Sequence, residues 1–110
     1  MPDKTSDSPP LPFRSLGTTF VKNTYHYRQV IRDGEWAIFG QYIKKTSEIP
    51  CAYEVIRIRV VPAGTIMGNA VPAREVGPSN ESFGKDGFTY PTLGKAKAKL
   101  HEMVEKRDAK

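Results

Sequence analysis

Ala52-Tyr53-Glu54-Val55-Ile56-Arg57-Ile58-Arg59-Val60-Val61 carries the clearest two-residue period in the chain. Ile56, Ile58 and Val60 alternate with Val55, Arg57, Arg59 and Val61, the pattern of an extended strand, whose successive side chains point to opposite faces. The alternation predicts that Ile56, Ile58 and Val60 point to the helix and core and that Arg57 and Arg59 point the other way.

Upstream, the polar link at residues 45–50 separates this strand from another at residues 35–44, with Trp36, Ile38 and Tyr42 on one face and Ala37, Phe39 and Ile43 on the other. Both faces look partly covered. Asp33-Gly34 supplies a hairpin turn before it, because Asp and Gly tolerate the positive φ that two-residue loops demand. Residues 20–31, rich in β-branched and aromatic types, read as the first strand. Residues 1–12 are polar and proline-rich, which predicts a flexible arm, with the fold starting near Phe13.

Downstream, residues 62–87 hold five glycines and three prolines without a sustained period, which predicts a long loop. Phe88-Thr89-Tyr90 adds a short fourth strand. Thr92 is the expected N-cap of the one convincing helix, where Leu93, Ala96, Leu100, Met103 and Val104 form an apolar stripe. The expectation is an α+β fold, a three- to four-stranded antiparallel sheet with one C-terminal helix packed on one face. A single domain spans 13–106, and 107–110 form a frayed tail.

A chain of 110 residues fits one core. Its net charge of +5, from 17 Lys and Arg against 12 Asp and Glu, favours acidic partners without selecting among them. Cys51 is the lone cysteine, so neither a disulfide nor a Cys-rich zinc site can form within the chain, and a reducing, cytoplasmic setting is expected. The N-terminus offers no secretory apolar stretch, and no run approaches a membrane helix.

Lys22, His26, Arg28 and Arg32 are spaced by two or four residues, which places them on one face of the first strand, opposite Tyr25, Tyr27 and Ile31. If that face coincides with the one bearing Arg57 and Arg59, a positive patch results, and phosphate neutralisation by it would give salt-sensitive affinity. The same residues also suit a solvated outer face kept for solubility. Lys95 at the helix N-terminus adds an anion-attracting position, since free backbone amides and the dipole end lie there. The aromatics Tyr25, Tyr27, Trp36, Phe39, Tyr42 and Tyr53 serve chiefly as core, with room for one or two exposed stacking platforms.

Catalytic patterns fail on spacing. Six residues separate Gly77 from Gly84 where a phosphate loop has four, and Asp86 stands where the magnesium-binding hydroxyl belongs. His26 and His101 lack partners at metal-ligand spacing, and no signature ties Cys51 to a histidine. The reading is therefore of a non-enzymatic protein without metal or cofactor. Turn formers crowd residues 78–87, so Asn80, Glu81, Phe83 and Lys85 are candidates for a partner-binding loop.

The string Pro78-Ser79-Asn80-Glu81-Ser82-Phe83-Gly84-Lys85-Asp86-Gly87-Phe88-Thr89-Tyr90-Pro91-Thr92-Leu93 resembles a segment of small uncharacterised proteins of phages and other mobile elements. Tyr27-Arg28-Gln29-Val30 with Gly34-Glu35-Trp36-Ala37, and Phe88-Thr89-Tyr90 before an Ala-rich helix, are similar in layout to plant-type AP2 and integrase arm-binding domains. That resemblance implies a sheet placed in the DNA major groove with a helix behind it, although the insertion at 62–87 and an additional strand depart from it. The expected function is nucleic-acid binding, DNA more than RNA, through the basic face. The alternative is a protein-interaction module, such as a mobile-element accessory factor that binds a host protein through the long loop.

Overall fold

The computed structural model describes residues 13–78 and 83–109. A five-stranded antiparallel sheet is built from β1 (Thr19–Lys22), β2 (Tyr25–Asp33), β3 (Trp36–Tyr42), β4 (Ala52–Arg57) and β9 (Gly87–Tyr90), in that spatial order. The helix α1 (Leu93–Asp108) lies over β3, β4 and β9. The α+β expectation holds. Among the described residues no helix is long and apolar enough to cross a membrane.

Two apolar clusters sandwich the sheet. On the helix side Trp36, Ile38 and Val55 pack with Ala96 and Leu100, and Leu93, Met103 and Val104 extend the helical stripe as its spacing required. Thr92 caps α1, its side-chain oxygen accepting from the Lys95 amide at 3.3 Å. On the opposite side Tyr27, Ala37, Phe39, Ile56 and Ile58 form the second cluster, with Leu16 and Phe20 packed against it. Ile56 and Ile58 therefore face away from the helix, and Val55 faces it, the reverse of the sequence expectation. Val60 faces no core and is exposed. A strand with apolar residues on both faces, as β4 has in Val55 and Ile56, gives no sequence signal for which face receives the helix.

The chain also turns where the sequence showed no turn. Residues 20–31 are not one strand, because Asn23 and Thr24 form a two-residue loop with φ of 53° and 69° that pairs Lys22 with Tyr25. Asn is common at such a position, but a β-branched Thr with positive φ is not, and that concealed the hairpin. Between β2 and β3 the loop residues are Gly34 and Glu35, with Asp33 still paired to Trp36. Gly34 has φ of 63°, and a Cβ there would come within 2.6 Å of the Arg107 guanidinium.

The long loop is largely a β-ribbon. The extended run 52–61 breaks at Ile58 into β4 and β5 (Arg59–Val61), which pairs with β8 (Arg74–Val76), while β6 (Gly64–Ile66) pairs with β7 (Asn69–Val71). The four make one hairpin, interrupted on both legs by Pro62-Ala63 and Pro72-Ala73 and closed by Met67-Gly68, both at positive φ. The chain around Arg14 stitches the hairpin base down: the Arg14 amide donates to the Ala73 carbonyl, and the Glu75 amide donates to the Arg14 carbonyl. At the other end, α1 continues through Arg107 and Asp108, so these residues are not a frayed tail. Arg107 donates to the Asp33 carbonyl and carboxylate, each at 3.1 Å, fastening the helix C-terminus to the β2–β3 turn.

Two substitutions test this construction by chemical denaturation. Phe39→Ala, at a fully buried position, should cost about 3–5 kcal/mol. Thr24→Gly should instead stabilise the protein by about 1 kcal/mol, because it relieves the left-handed conformation of a β-branched residue.

Candidate functional site

The arginines expected on one face are divided by a β-bulge. The register of β2 against β3 shifts between Gln29 and Ile31, leaving Val30 as the extra residue. Directly paired residues share a face. His26 and Arg28, opposite Tyr42 and Gly40, therefore lie on the helix side, whereas Arg32, opposite Ala37, lies on the other. Arg57 pairs with Trp36 and is on the helix side, at the far end of the sheet from Arg28. Arg59 belongs to the hairpin, paired with Val76. Lys22 pairs with Tyr25, and Tyr27 packs on Phe20, so Lys22 and both tyrosines share the face away from the helix. Lys22 does not oppose them as the two-residue spacing across the hidden turn had implied.

Local partners already hold the main cations. Arg32 forms a two-pronged ion pair with Glu75, at 3.1 and 2.7 Å, and also donates to the Gly34 carbonyl. Arg57 donates to Glu35 at 2.7 Å and lies 3.7 Å from Asp86. Arg28 donates to the carbonyls of Lys45 and Ser47, at 2.8 and 2.7 Å, and stacks 3.9 Å from the Tyr42 ring. Gly40 makes that stack possible, since a Cβ there would meet the Tyr42 ring at 2.9 Å. Lys95 is exposed on the first turn of α1, remote in the fold from the hairpin-borne Arg59. Of the loop candidates, Phe83 is half-buried with its ring over Gly87, and Lys85 is exposed in the turn before β9. Asn80 and Glu81 lie outside the described residues.

Two other features stand out. The first is the hairpin end, where residues 62–70 are all exposed, Met67 at 95% and Ile66 at 51%. Residues 60–73 contain no charged side chain. The second lies on the sheet face away from the helix, where Gln41 Nε2 donates to the Tyr27 hydroxyl at 3.0 Å and that hydroxyl donates to Glu54 Oε2 at 3.4 Å. Burial, helped by the neighbouring Glu54 charge, pushes the Tyr27 pKa up to about 12. Burial also raises the Glu54 pKa, against the opposing pull of Lys22. Glu75 behaves oppositely: its bonds from Arg32, and then from the Leu16 amide, hold it below the ordinary carboxylate value.

Sequence reasoning missed Glu54, Tyr27 and Gln41 as a group, and Ile66 and Met67 as an exposed tip. A signal existed for each. Glu54 is the acid in an otherwise apolar strand half, and Met67-Gly68 sits midway between prolines that mirror each other at 62 and 72. No family model, no curated protein and no solved structure matches this chain.

The two carboxylates give opposite pH dependences. The raised folded-state pKa of Glu54 makes the folded protein bind more protons than the unfolded chain between the two values, so its contribution to stability falls as pH rises through that window. The lowered pKa of Glu75 contributes stability that is present above its unfolded value and lost as pH falls through the folded one. Glu54→Gln should therefore match the wild type in acid, below the unfolded carboxylate pKa of about 4.3, and exceed it in Tm at neutral pH. Thermal melts across that range check the sign.

Proposed function

We propose that the protein is a protein-interaction module whose contact element is the hairpin β5–β8. The observation that carries this reading is the exposed, uncharged end of that hairpin. A ribbon that tracked phosphates would need cations along its length, yet Arg59 and Arg74 sit only at its base and residues 60–73 carry none. Exposed Ile66 and Met67 suit an apolar pocket on a partner, and an unbranched Met adapts to the shape it meets. Among the described residues the legs β6 and β7 pair only with each other, so each also offers an edge for strand addition. The net charge of +5 then steers approach to an acidic protein surface.

Nucleic-acid binding through the arginine face is the second reading. What favours it is the group of His26 and Arg28 on one side of β2, close to Lys45. Against it stand the separation of Arg32, Arg57 and Arg59 and the ion pairs that occupy the first two.

A photo-crosslinking amino acid at position 67, with position 97 on the exposed helix side as control, separates the readings in producing cells. The expected result is one discrete protein adduct at 67, absent at 97 and reduced at least about tenfold by Ile66→Asp. Salt-sensitive retention of labelled DNA, lost in Arg28→Ala and unaffected by Ile66→Asp, would overturn the hairpin reading in favour of the second.

A further inference from the structure

A groove of about 380 Å³ runs between the sheet face away from α1 and the base of the hairpin. Leu16, Phe20, Ile56, Val76 and Pro78 give it apolar walls. A second cavity of about 180 Å³, walled by Asn23, Tyr25, Tyr27 and Gln41, adjoins it. Lys22, Glu54 and Phe83 line both, so the two spaces meet at a base, an acid and a ring. Glu75 also reaches the groove, but Arg32 and the Leu16 amide already occupy its oxygens.

Lys22 and Glu54 do not satisfy each other. Among the described residues no ion pair joins them, although Lys22 is near enough to pull the Glu54 pKa down. Lys22 Nζ reaches the Pro78 carbonyl at 3.5 Å and lies 5.6 Å from the centre of the Phe83 ring. Glu54 accepts from Tyr27 at 3.4 Å, near the outer limit of a hydrogen bond. Opposite charges that line one apolar groove without an ion pair between them discriminate among ligands by charge. A simple cation is repelled by Lys22, and a simple anion by Glu54. A neutral apolar molecule strips water from both charges and replaces nothing. A zwitterion answers both, and a cavity at the small end of the usual range of about 300–1,000 Å³ limits it to a metabolite-sized molecule.

We propose that this groove binds a free α-amino acid with a large apolar side chain, its ammonium on Glu54, its carboxylate on Lys22 and its side chain among Leu16, Phe20, Ile56 and Val76. The site sits at the base of the hairpin and does not rest on the interaction assigned to the tip.

Isothermal titration of the full chain with L-phenylalanine and L-leucine tests it, alongside phenethylamine, hydrocinnamate and N-acetyl-L-phenylalaninamide, which lack the carboxylate, the ammonium and both charges respectively. The amino acids should bind, with each phenylalanine analogue at least about tenfold weaker than L-phenylalanine. Glu54→Gln and Lys22→Met should each weaken L-phenylalanine by a similar factor, while Lys97→Ala, at an exposed helix position outside both cavities, leaves it unchanged. Amide chemical shifts of the two charge variants, read without ligand, show whether the fold is intact. Absence of heat and of shift changes with either amino acid at millimolar concentration overturns the proposal. Equal binding of the neutral analogue overturns it too, since the charges would then play no part.

Discussion

β3 is apolar on both faces, and everything else in the fold follows from having to cover it twice. Ala37, Ile38 and Phe39 are fully buried, two of them on one side and one on the other, so leaving either face wet would expose large apolar area. The described residues have one helix to offer. α1 closes the first face with a stripe of Leu93, Ala96, Leu100, Met103 and Val104. The second face is closed by pieces: Leu16 before the first strand, Phe20 stacked on Tyr27 at 4.9 Å between ring centres, and the base of a hairpin brought back across the sheet. A cover assembled from pieces leaves gaps where a helix would not, and the groove beneath Val76 and Pro78 is one of them.

The bulge at Val30 decides what the charged residues can do. With a continuous register, Arg32 would fall on the helix side, beside Ile38 and Trp36. One extra residue moves it to the opposite face, where Glu75 meets it with both oxygens. The resulting pair is two-pronged, a geometry in which guanidinium and carboxylate match. It ties β2 to β8 and thereby anchors the hairpin. Arg57 and Arg107 act in the same way at the same end of the sheet, holding Glu35 and the Asp33 turn. These cations are fasteners between elements that are distant in sequence, which explains why they are arginines rather than a patch of interchangeable positive charge.

The sheet, the helix, its cap and the helical stripe were legible in the sequence because each depends on local periodicity or a single capping residue. Face assignment was not. Alternation fixes which residues share a side of a strand only while the register is unbroken, and neither the Val30 bulge nor the Asn23-Thr24 turn carries a glycine or proline to mark it. The hairpin was hidden for the opposite reason: prolines at 62 and 72 and glycines at 64 and 68 read as a loop, although Gly64 opens β6 and the other three fall between short paired segments. For the candidate sites, the residue types that attract notice in a sequence were the arginines, yet Arg28, Arg32 and Arg57 found partners within the fold. Glu54 and Lys22 are conspicuous only once the fold places them at the same narrow waist, a relation between β1 and β4 that no spacing records.

Glu75, Val76, Gly77 and Pro78 belong at once to the hairpin base and to the groove wall. The contacts that hold the ribbon base, Arg14 along its outer edge and Arg32 on Glu75, converge on Glu75, which also lines the groove. Any change that loosens them therefore acts on both surfaces together, and any molecule that fills the groove presses against the strand from which the exposed tip extends. The uncharged tip and the charged groove are chemically unrelated, but one short strand, held by β5, the chain around Arg14 and the Arg32 ion pair, joins them.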